Sequence, residues 1–385
     1  MYGLKDQPFY QYLPKAEDFF GRNAEVPIKY SPGASGNSHT FADAYAGKGS
    51  SKYTHFILTR KRDYNLISID REALEASEND KGAYLDAKEA EVDSNMTTLM
   101  QQLGADLQSD GTGFTGVVQT VNAGAGTFTL RDPDMVRMEI GRRLQFAASP
   151  FTTLRAGVLG YVTIASVNFD TNTITVSATD GDSLATLGVQ AADQCYPKGN
   201  FGLSLNGTEA WIPTNRSNLG TVFNNVDRSV FPSRLAGIFY DASSYGLVEG
   251  ISRALARAAK ERCYPDTIWV NFNRFEDISQ DFGAKAIREP SGVGENGFSQ
   301  LKITAGGRTV TIRADQNFVD TTALCTTKDT WKFWTLKGAP RFLTREVGGD
   351  MIIEPAADGF ELRAGWNGEL YCDSPGDNIR ITLPT

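Results

Sequence analysis

A chain of 385 residues, 41% hydrophobic and 22% charged, is sized for two or three domains, each with its own core. Its 38 lysines and arginines against 46 aspartates and glutamates leave a formal charge of −8, so composition gives no case for gripping nucleic-acid phosphates over a broad surface. The absence of any run of about eighteen apolar residues excludes a helical membrane span, and Met1 to Asp6 lacks the apolar stretch of a signal peptide.

The first fifty residues read as an arm. Tyr30 to Ser38 is rich in turn formers and offers no periodic apolar face. Phe9, Tyr10, Tyr12, Phe19 and Phe20 precede it with no local core to enter, and are expected to find apolar partners on another surface, often another subunit. His55–Thr59 and Tyr64–Ile69 are then expected to pair as a hairpin whose polar tip is Arg60, Lys61, Arg62 and Asp63. That basic tip suits either solvent or an acidic neighbour, for example the acidic helix of another copy.

The clearest helix runs from about Asp80 to Leu107. Leu85, Val92, Met96, Leu99, Leu103 and Leu107 follow helical spacings, while Asp86, Glu89, Glu91 and Asp93 occupy the early turns, where the helix dipole favours negative charge. A β module follows at residues 114–205 and contains a repeat. Val121-Asn122 is followed after four residues by Thr127-Phe128-Thr129-Leu130, and Val167-Asn168 after four residues by Thr173-Ile174-Thr175-Val176. Two such hairpins predict a small barrel or sandwich.

The C-terminal half opens with a second helix, Leu247–Cys263, whose apolar stripe is Leu247, Ile251, Leu255 and Ala258. A strand at Thr267–Asn271 and a short helix near Asn273–Asp281 come next. Further strands are expected at Leu301–Ile303, Thr309–Arg313, Met351–Glu354, Phe360–Trp366, Glu369–Cys372 and Ile379–Leu383. The class is α+β with mostly short, antiparallel strands.

Signals for chemistry are poor. The two histidines, His39 and His55, fall in the arm and the first hairpin, where neither a rigid pocket nor a second metal ligand is at hand. Gly292-Val293-Gly294-Glu295-Asn296-Gly297 has the spacing of a dinucleotide fingerprint but follows Arg288-Glu289-Pro290 instead of a strand, so it reads as a loop. The acidic pairs Glu89/Glu91 and Glu91/Asp93 read as solvated helix charges. Cys195, Cys263, Cys325 and Cys372 form no CxxC pair and are expected to be buried free thiols of an intracellular chain. No catalytic, cofactor-binding or metal-ligating residue is assigned.

In its order of elements the chain resembles the major capsid protein family of tailed bacteriophages, whose fold is shared with encapsulins and the floor domain of herpesvirus capsids. The stretch that carries the resemblance is Tyr240-Asp241, the helix Leu247–Cys263, then Pro265-Asp266-Thr267-Ile268-Trp269-Val270-Asn271 and Arg274-Phe275. The resemblance implies an N-terminal arm at 1–50 and an E-loop hairpin at 51–75. A peripheral domain at 76–113 and 345–385 would include a spine helix at 82–107, with an inserted β domain at 114–205 and an axial domain at 206–344. Some family members cross-link their subunits through an E-loop lysine, an asparagine and a buried glutamate. Lys61 is such a lysine, but without an assigned partner no cross-link is expected.

The implied function is structural and non-enzymatic. Copies of the chain would tile an icosahedral shell of pentamers and hexamers around double-stranded DNA, assembled in the host cytoplasm and held without sequence specificity. A separate scaffolding protein, a portal and a decoration protein are the further expected partners, and no membrane is involved. Two other readings are an encapsulin-like compartment and a β-rich carbohydrate-binding or hydrolase protein. The repeat favours the latter, yet residues 114–205 contain no tryptophan to serve as a sugar platform.

Overall fold

The computed structural model of the chain describes residues 7–33, 38–70, 81–217, 219–281, 301–305, 307–343, 351–353 and 359–384. Helix α1 (Pro8–Tyr12) starts with proline, whose fixed φ suits a first helical turn. It sets Phe9, Tyr10 and Tyr12 into the core, and Leu13 and Phe19 are buried as well. The Phe9 ring meets Trp269 edge-on at 5.2 Å and Phe318 at 5.9 Å, while Tyr10 meets Phe333 at 5.8 Å. The Phe9 amide donates to Asp315 Oδ2 at 3.0 Å, and the Tyr12 hydroxyl to Asp266 Oδ1 at 2.9 Å. Strand β1 (Lys15–Ala16) follows. This corrects the expectation that the arm's aromatics seek another subunit: all but Phe20 are core residues of their own chain. Their partners lie hundreds of residues away in sequence, so local patterning does not disclose them.

Strands β2 (Asn23–Ser31) and β3 (Lys52–Thr59) form an antiparallel two-stranded sheet, running from Asn23↔Thr59 to Ser31↔Lys52. Helix α2 (Phe41–Ala46) lies in the segment that joins them. Val26, Ile28, Phe56 and Leu58 are buried, with Phe56 against Trp211 at 5.2 Å. Strand β4 (Lys61–Asp70) follows after Arg60 alone. The hairpin expected from His55–Thr59 and Tyr64–Ile69 is therefore not formed. One residue between strands cannot turn the chain back, so it runs straight on, and β4 pairs with the distant strand Gly359–Cys372. The observed hairpin is β2–β3, and Lys61, Arg62 and Asp63 are strand residues at its root.

Helix α3 (Lys81–Gln108) spans the predicted 82–107 with one residue more at each end, a rod of about 42 Å. Leu99, Met100, Leu103 and Leu107 are buried. At Gly104 a Cβ would stand 1.8 Å from Gln7 Oε1, so a larger residue would have to displace the Gln7 side chain from its place on the helix. Gln7 Oε1 in turn accepts from Asn317 Nδ2 at 2.6 Å.

The β module is a closed barrel of six strands: β5 (Gly116–Asn122), β6 (Thr127–Leu130), β7 (Arg143–Ala147), β8 (Val162–Asn168), β9 (Thr173–Gly181) and β10 (Gln194–Pro197). Their order around the wall is β10-β5-β6-β9-β8-β7. The two repeated hairpins lie side by side with Phe128 opposite Ile174, residues that are equivalents in the repeat, so the hairpins meet about a local two-fold axis. Gly126 (φ +65°) and Asn172 (φ +52°) are also equivalents, and each takes the left-handed turn position that suits glycine or asparagine. The barrel is filled by Val118, Phe128, Leu144, Phe146, Val162, Ile164 and Ile174. Its entrance and exit are neighbours, since Gly116 pairs with Cys195.

The remaining chain supplies β11 (Ile238–Asp241), α4 (Leu247–Lys260), β12 (Thr267–Val270), α5 (Phe272–Asp281), β13 (Leu301–Ala305), β14 (Arg308–Ala314), β15 (Thr322–Thr326), β16 (Trp331–Thr335), β17 (Arg341–Phe342), β18 (Met351–Ile353), β19 (Gly359–Cys372) and β20 (Ile379–Thr382). One sheet has the order β11-β20-β15-β12-β14-β13, and α4 packs into its core through Leu247, Ile251, Ala254, Leu255 and Ala258. Its β11/β20 and β12/β14 pairs are parallel, while most other strand pairs of the chain are antiparallel, as expected. In the other sheet β19 is the hub, pairing with β4, β16, β17 and β18, while β1 joins in parallel beside β16. The sheets divide the chain differently from the expected split into 206–344 and 345–385: β16 and β17 belong with β4 and β19, and β20 belongs with β11 and β15.

Candidate interaction surfaces

The β2–β3 hairpin carries at its far end a helix that buries none of its own residues. The Thr40 hydroxyl caps α2 by accepting from the Asp43 amide at 3.3 Å. Phe41 is 86% exposed and Tyr45 61%, with their rings stacked at 6.3 Å. The Lys48 ammonium sits 4.0 Å from the centre of the Tyr45 ring. A six-residue helix is too short to be stable from its backbone alone, and a two-stranded sheet is marginal in water. This end of the hairpin thus presents a pair of aromatic rings that, apart from Lys48, no described residue of the chain covers. Sequence reading passed over Phe41 and Tyr45; the cap signal Thr40–Asp43 followed by aromatics four apart could have found them.

The four residues Arg60, Lys61, Arg62 and Asp63 lie together, but at the hairpin's root. They line a groove of about 490 Å³ with Arg22, Asp106 and Trp366. The Arg60 guanidinium donates to the Phe19 carbonyl at 3.3 Å, and that of Arg62 to the Tyr64 hydroxyl at 3.5 Å. A second groove of about 730 Å³ lies where β2 meets the end of α4, with Lys29, Arg234, Lys260 and Arg262 on its walls.

Buried charge gathers behind the first groove. Glu369 is fully buried; its Oε1 accepts the Asn206 amide at 2.7 Å, and Oε2 has no partner among the described residues. Burial pushes its carboxyl up to about 8, with the Lys61 charge a weaker pull the other way. Burial likewise lifts Asp106 to about 7, reinforced by the Asp63 charge and opposed by the hydrogen bond from Gln102 at 2.8 Å. Arg142 reaches from the barrel to Gln102 Oε1 on α3 at 3.1 Å, and Arg137 to the Asn317 carbonyl in the loop that follows Ala314 at 3.4 Å, so the two guanidinium groups tie the barrel to the helix and to that loop.

The Glu369 environment sets a pH dependence. The folded state keeps the proton up to about 8, whereas the unfolded chain releases it near 4.5, the ordinary value for a glutamate. Between those values the folded state binds more protons, so stability falls as pH rises, by on the order of 1.4 kcal/mol per unit of pH at most. Thermal denaturation of Glu369→Gln between pH 5 and 8 is expected to show a flatter slope than the parent; an equal slope contradicts the assignment.

The four cysteines are free and buried, as read from their spacing. His39 and His55 are exposed, and no group of three histidine, cysteine or acidic residues that could hold a metal is found among the described residues. Gly292 to Gly297 and the side chains of Glu89 and Glu91 lie outside the described residues.

The sequence matches no known family model and no curated protein. In structure the chain is similar to a chain of the cyanophage A-1(L) capsid asymmetric unit, with a TM-score of 0.58 over 99% of this chain and 93% of that one, at 10% identity. Lower similarity is found to the capsid of a native GTA particle, with a TM-score of 0.48 at 7% identity over 97% and 89% of the two chains. Phage G major capsid and decoration proteins give a TM-score of 0.40 at 8% identity over 97% and 88%. The first of these fixes the fold: the chain has the α+β fold of a phage capsid subunit over nearly its whole length, with a closed six-stranded barrel within it.

Proposed function

We propose that this chain is the major capsid protein of a tailed bacteriophage, whose copies assemble into an icosahedral shell of pentamers and hexamers around double-stranded DNA. The likeness to the cyanophage A-1(L) capsid chain over nearly both lengths carries this reading. The projecting hairpin supports it physically. Phe41 and Tyr45 gain stability only when another surface covers them, and a repeating shell offers each copy an equivalent neighbour.

In this role function is geometry instead of bond chemistry, and no residue is assigned to catalysis. The packaged DNA is held without sequence specificity by a subunit of net charge −8, and a wall of like charge lets it slide. A scaffolding protein, a portal and a decoration protein complete the expected set of partners, and the assembled place of the chain is the virion, built in the host cytoplasm. Electron microscopy of the purified chain tests the reading: closed shells support it, and a monomer under all assembly conditions overturns it.

A further inference from the structure

Cations from three parts of the fold converge on the groove between β2 and the end of α4. Lys29 comes from β2, Arg234 from the helical turn Pro232–Leu235, and Lys260 and Arg262 from the end of α4. All four are exposed, and none makes an ion pair with an acid among the described residues. Glu261 and Asp377 share the walls, but Glu261 is held by Arg257 at 2.5 Å. Cations at a helix C-terminus are favoured by the helix dipole, which accounts for Lys260 and Arg262. It does not account for Lys29 and Arg234, which other elements bring to the same place.

The backbone at Arg262 adds a second observation. The Arg262 amide donates to the Ala259 carbonyl and the Cys263 amide to the Ala258 carbonyl, both at 3.1 Å, which closes α4 through a left-handed residue. Arg262 is that residue, with φ +64°, where glycine is the least strained choice. A charged side chain thus stands on the groove wall where a glycine would end the helix with less strain. The apolar lining is slight. Ile28 is buried, Phe231 is half-buried with the Arg234 guanidinium 5.0 Å from its ring centre, and only Pro32 is exposed. Protein interfaces are built around an apolar or aromatic centre, whereas exposed cations beside hydroxyls, here Ser233 and Ser374, suit phosphate oxygens.

We infer that this groove is where the subunit touches duplex DNA, with Lys29, Arg234, Lys260 and Arg262 on phosphates of the backbone. The inference rests on the shell reading above and deepens it by assigning the residues that meet the packaged DNA. Contacts of this kind carry no sequence information and weaken steeply with salt. A local foothold on a subunit that is acidic overall holds the duplex without fixing it.

The test is the salt dependence of binding, read by fluorescence anisotropy as the dispersed full-length subunit is added to a short labelled DNA duplex. Contacts to four phosphates give log K against log salt a slope of about −3.6, about −0.9 for each. Arg234→Gln with Arg262→Gln is expected to reduce the slope to about −1.8 and Lys29→Gln alone to about −2.7, with equal losses on duplexes of different sequence. Arg22→Gln with Arg62→Gln, in the groove at the hairpin root, should leave affinity and slope unchanged. Circular dichroism and melting show whether each variant folds. Where one does not, acetylation of the parent decides: the duplex should protect Lys29 and Lys260 and leave the exposed Lys48 reactive. A parent without affinity for the duplex, a slope that the groove variants do not move, an equal loss in the hairpin-root variant, or protection that spares Lys29 and Lys260 overturns the assignment. Groove variants that keep their duplex affinity but no longer assemble would mean that the groove meets an acidic face of another copy, and overturn it as well. Shells formed by a parent without duplex affinity remove the groove alone. Duplex affinity that depends on the four cations, in a chain that never assembles, upholds the groove and removes the shell reading.

Discussion

Replacing Phe41 and Tyr45 together by serine is expected to leave the stability of the dispersed subunit unchanged and to prevent its assembly. The first half follows from their exposure, 86% and 61%, in a helix that buries no residue of its own. Surface substitutions of this kind move folding free energy by less than about 0.5 kcal/mol. The second half follows from what the rings gain on being covered. Full burial of a large apolar side chain is worth about 1.5–3 kcal/mol, so the pair contributes about 3–6 kcal/mol to each contact. A loss of that size raises the concentration needed for assembly more than about a hundredfold. Sedimentation velocity on parent and variant at matched concentration separates the outcomes. A variant that melts like the parent and still forms large particles would show that the hairpin end is not a contact.

Phe9→Ala is expected to destabilise the subunit itself, by about 3–5 kcal/mol, the range for emptying a buried aromatic site. Phe9 stands 5.2 Å from Trp269 and 5.9 Å from Phe318, and both of these belong to the loop and sheet region built from the C-terminal half. Truncation would leave a cavity between two elements that no nearby side chain can close. Phe20→Ala is the control: the same arm, the same side chain, but 74% exposed, with an expected change under about 0.5 kcal/mol. Urea denaturation of the dispersed subunit measures both. Equal stability of Phe9→Ala and parent would mean that the arm is not docked on its own chain.

The contrast between Phe9 and Phe41 shows where sequence reading reached and where it stopped. The barrel and the helices α3 and α4 were legible because their signals are local: a repeated hairpin in one case, a 3.6-residue stripe in the others. The arm was misread because its partners, Trp269 and Phe318, are far along the chain, and a lack of local core was taken for a lack of any core. The same limit misplaced the hairpin. Arg60 to Asp63 looked like a polar turn, yet β4 pairs along its whole length with β19, close to three hundred residues away. Asn367-Gly368 suggested a break in β19, although Gly368 pairs with both Lys61 and Thr335 and the strand runs through. Strand β15 was missed for a different reason: all five of its residues are buried, so it has no alternation to detect. Strand β16 does alternate, with Trp331, Phe333 and Thr335 buried, and could have been found.

Of the candidate contact residues, the basic run at 60–63 was picked out by charge but assigned to a tip that it does not occupy. The end that projects bears Phe41 and Tyr45, which a reading centred on charge does not weigh. Contacts between copies leave little trace in one sequence, because the residues that meet are set by the placement of whole subunits. What remains visible is the surplus each surface carries alone: exposed rings on one element, a cluster of cations on another.

Electron microscopy of the purified full-length chain, over a series of protein and salt concentrations, tests the central claim most directly. The account predicts closed, uniform shells with five- and six-fold clusters of subunits, lost when Phe41 and Tyr45 are replaced. A chain that stays monomeric in every condition, with its hairpin end free, would contradict it.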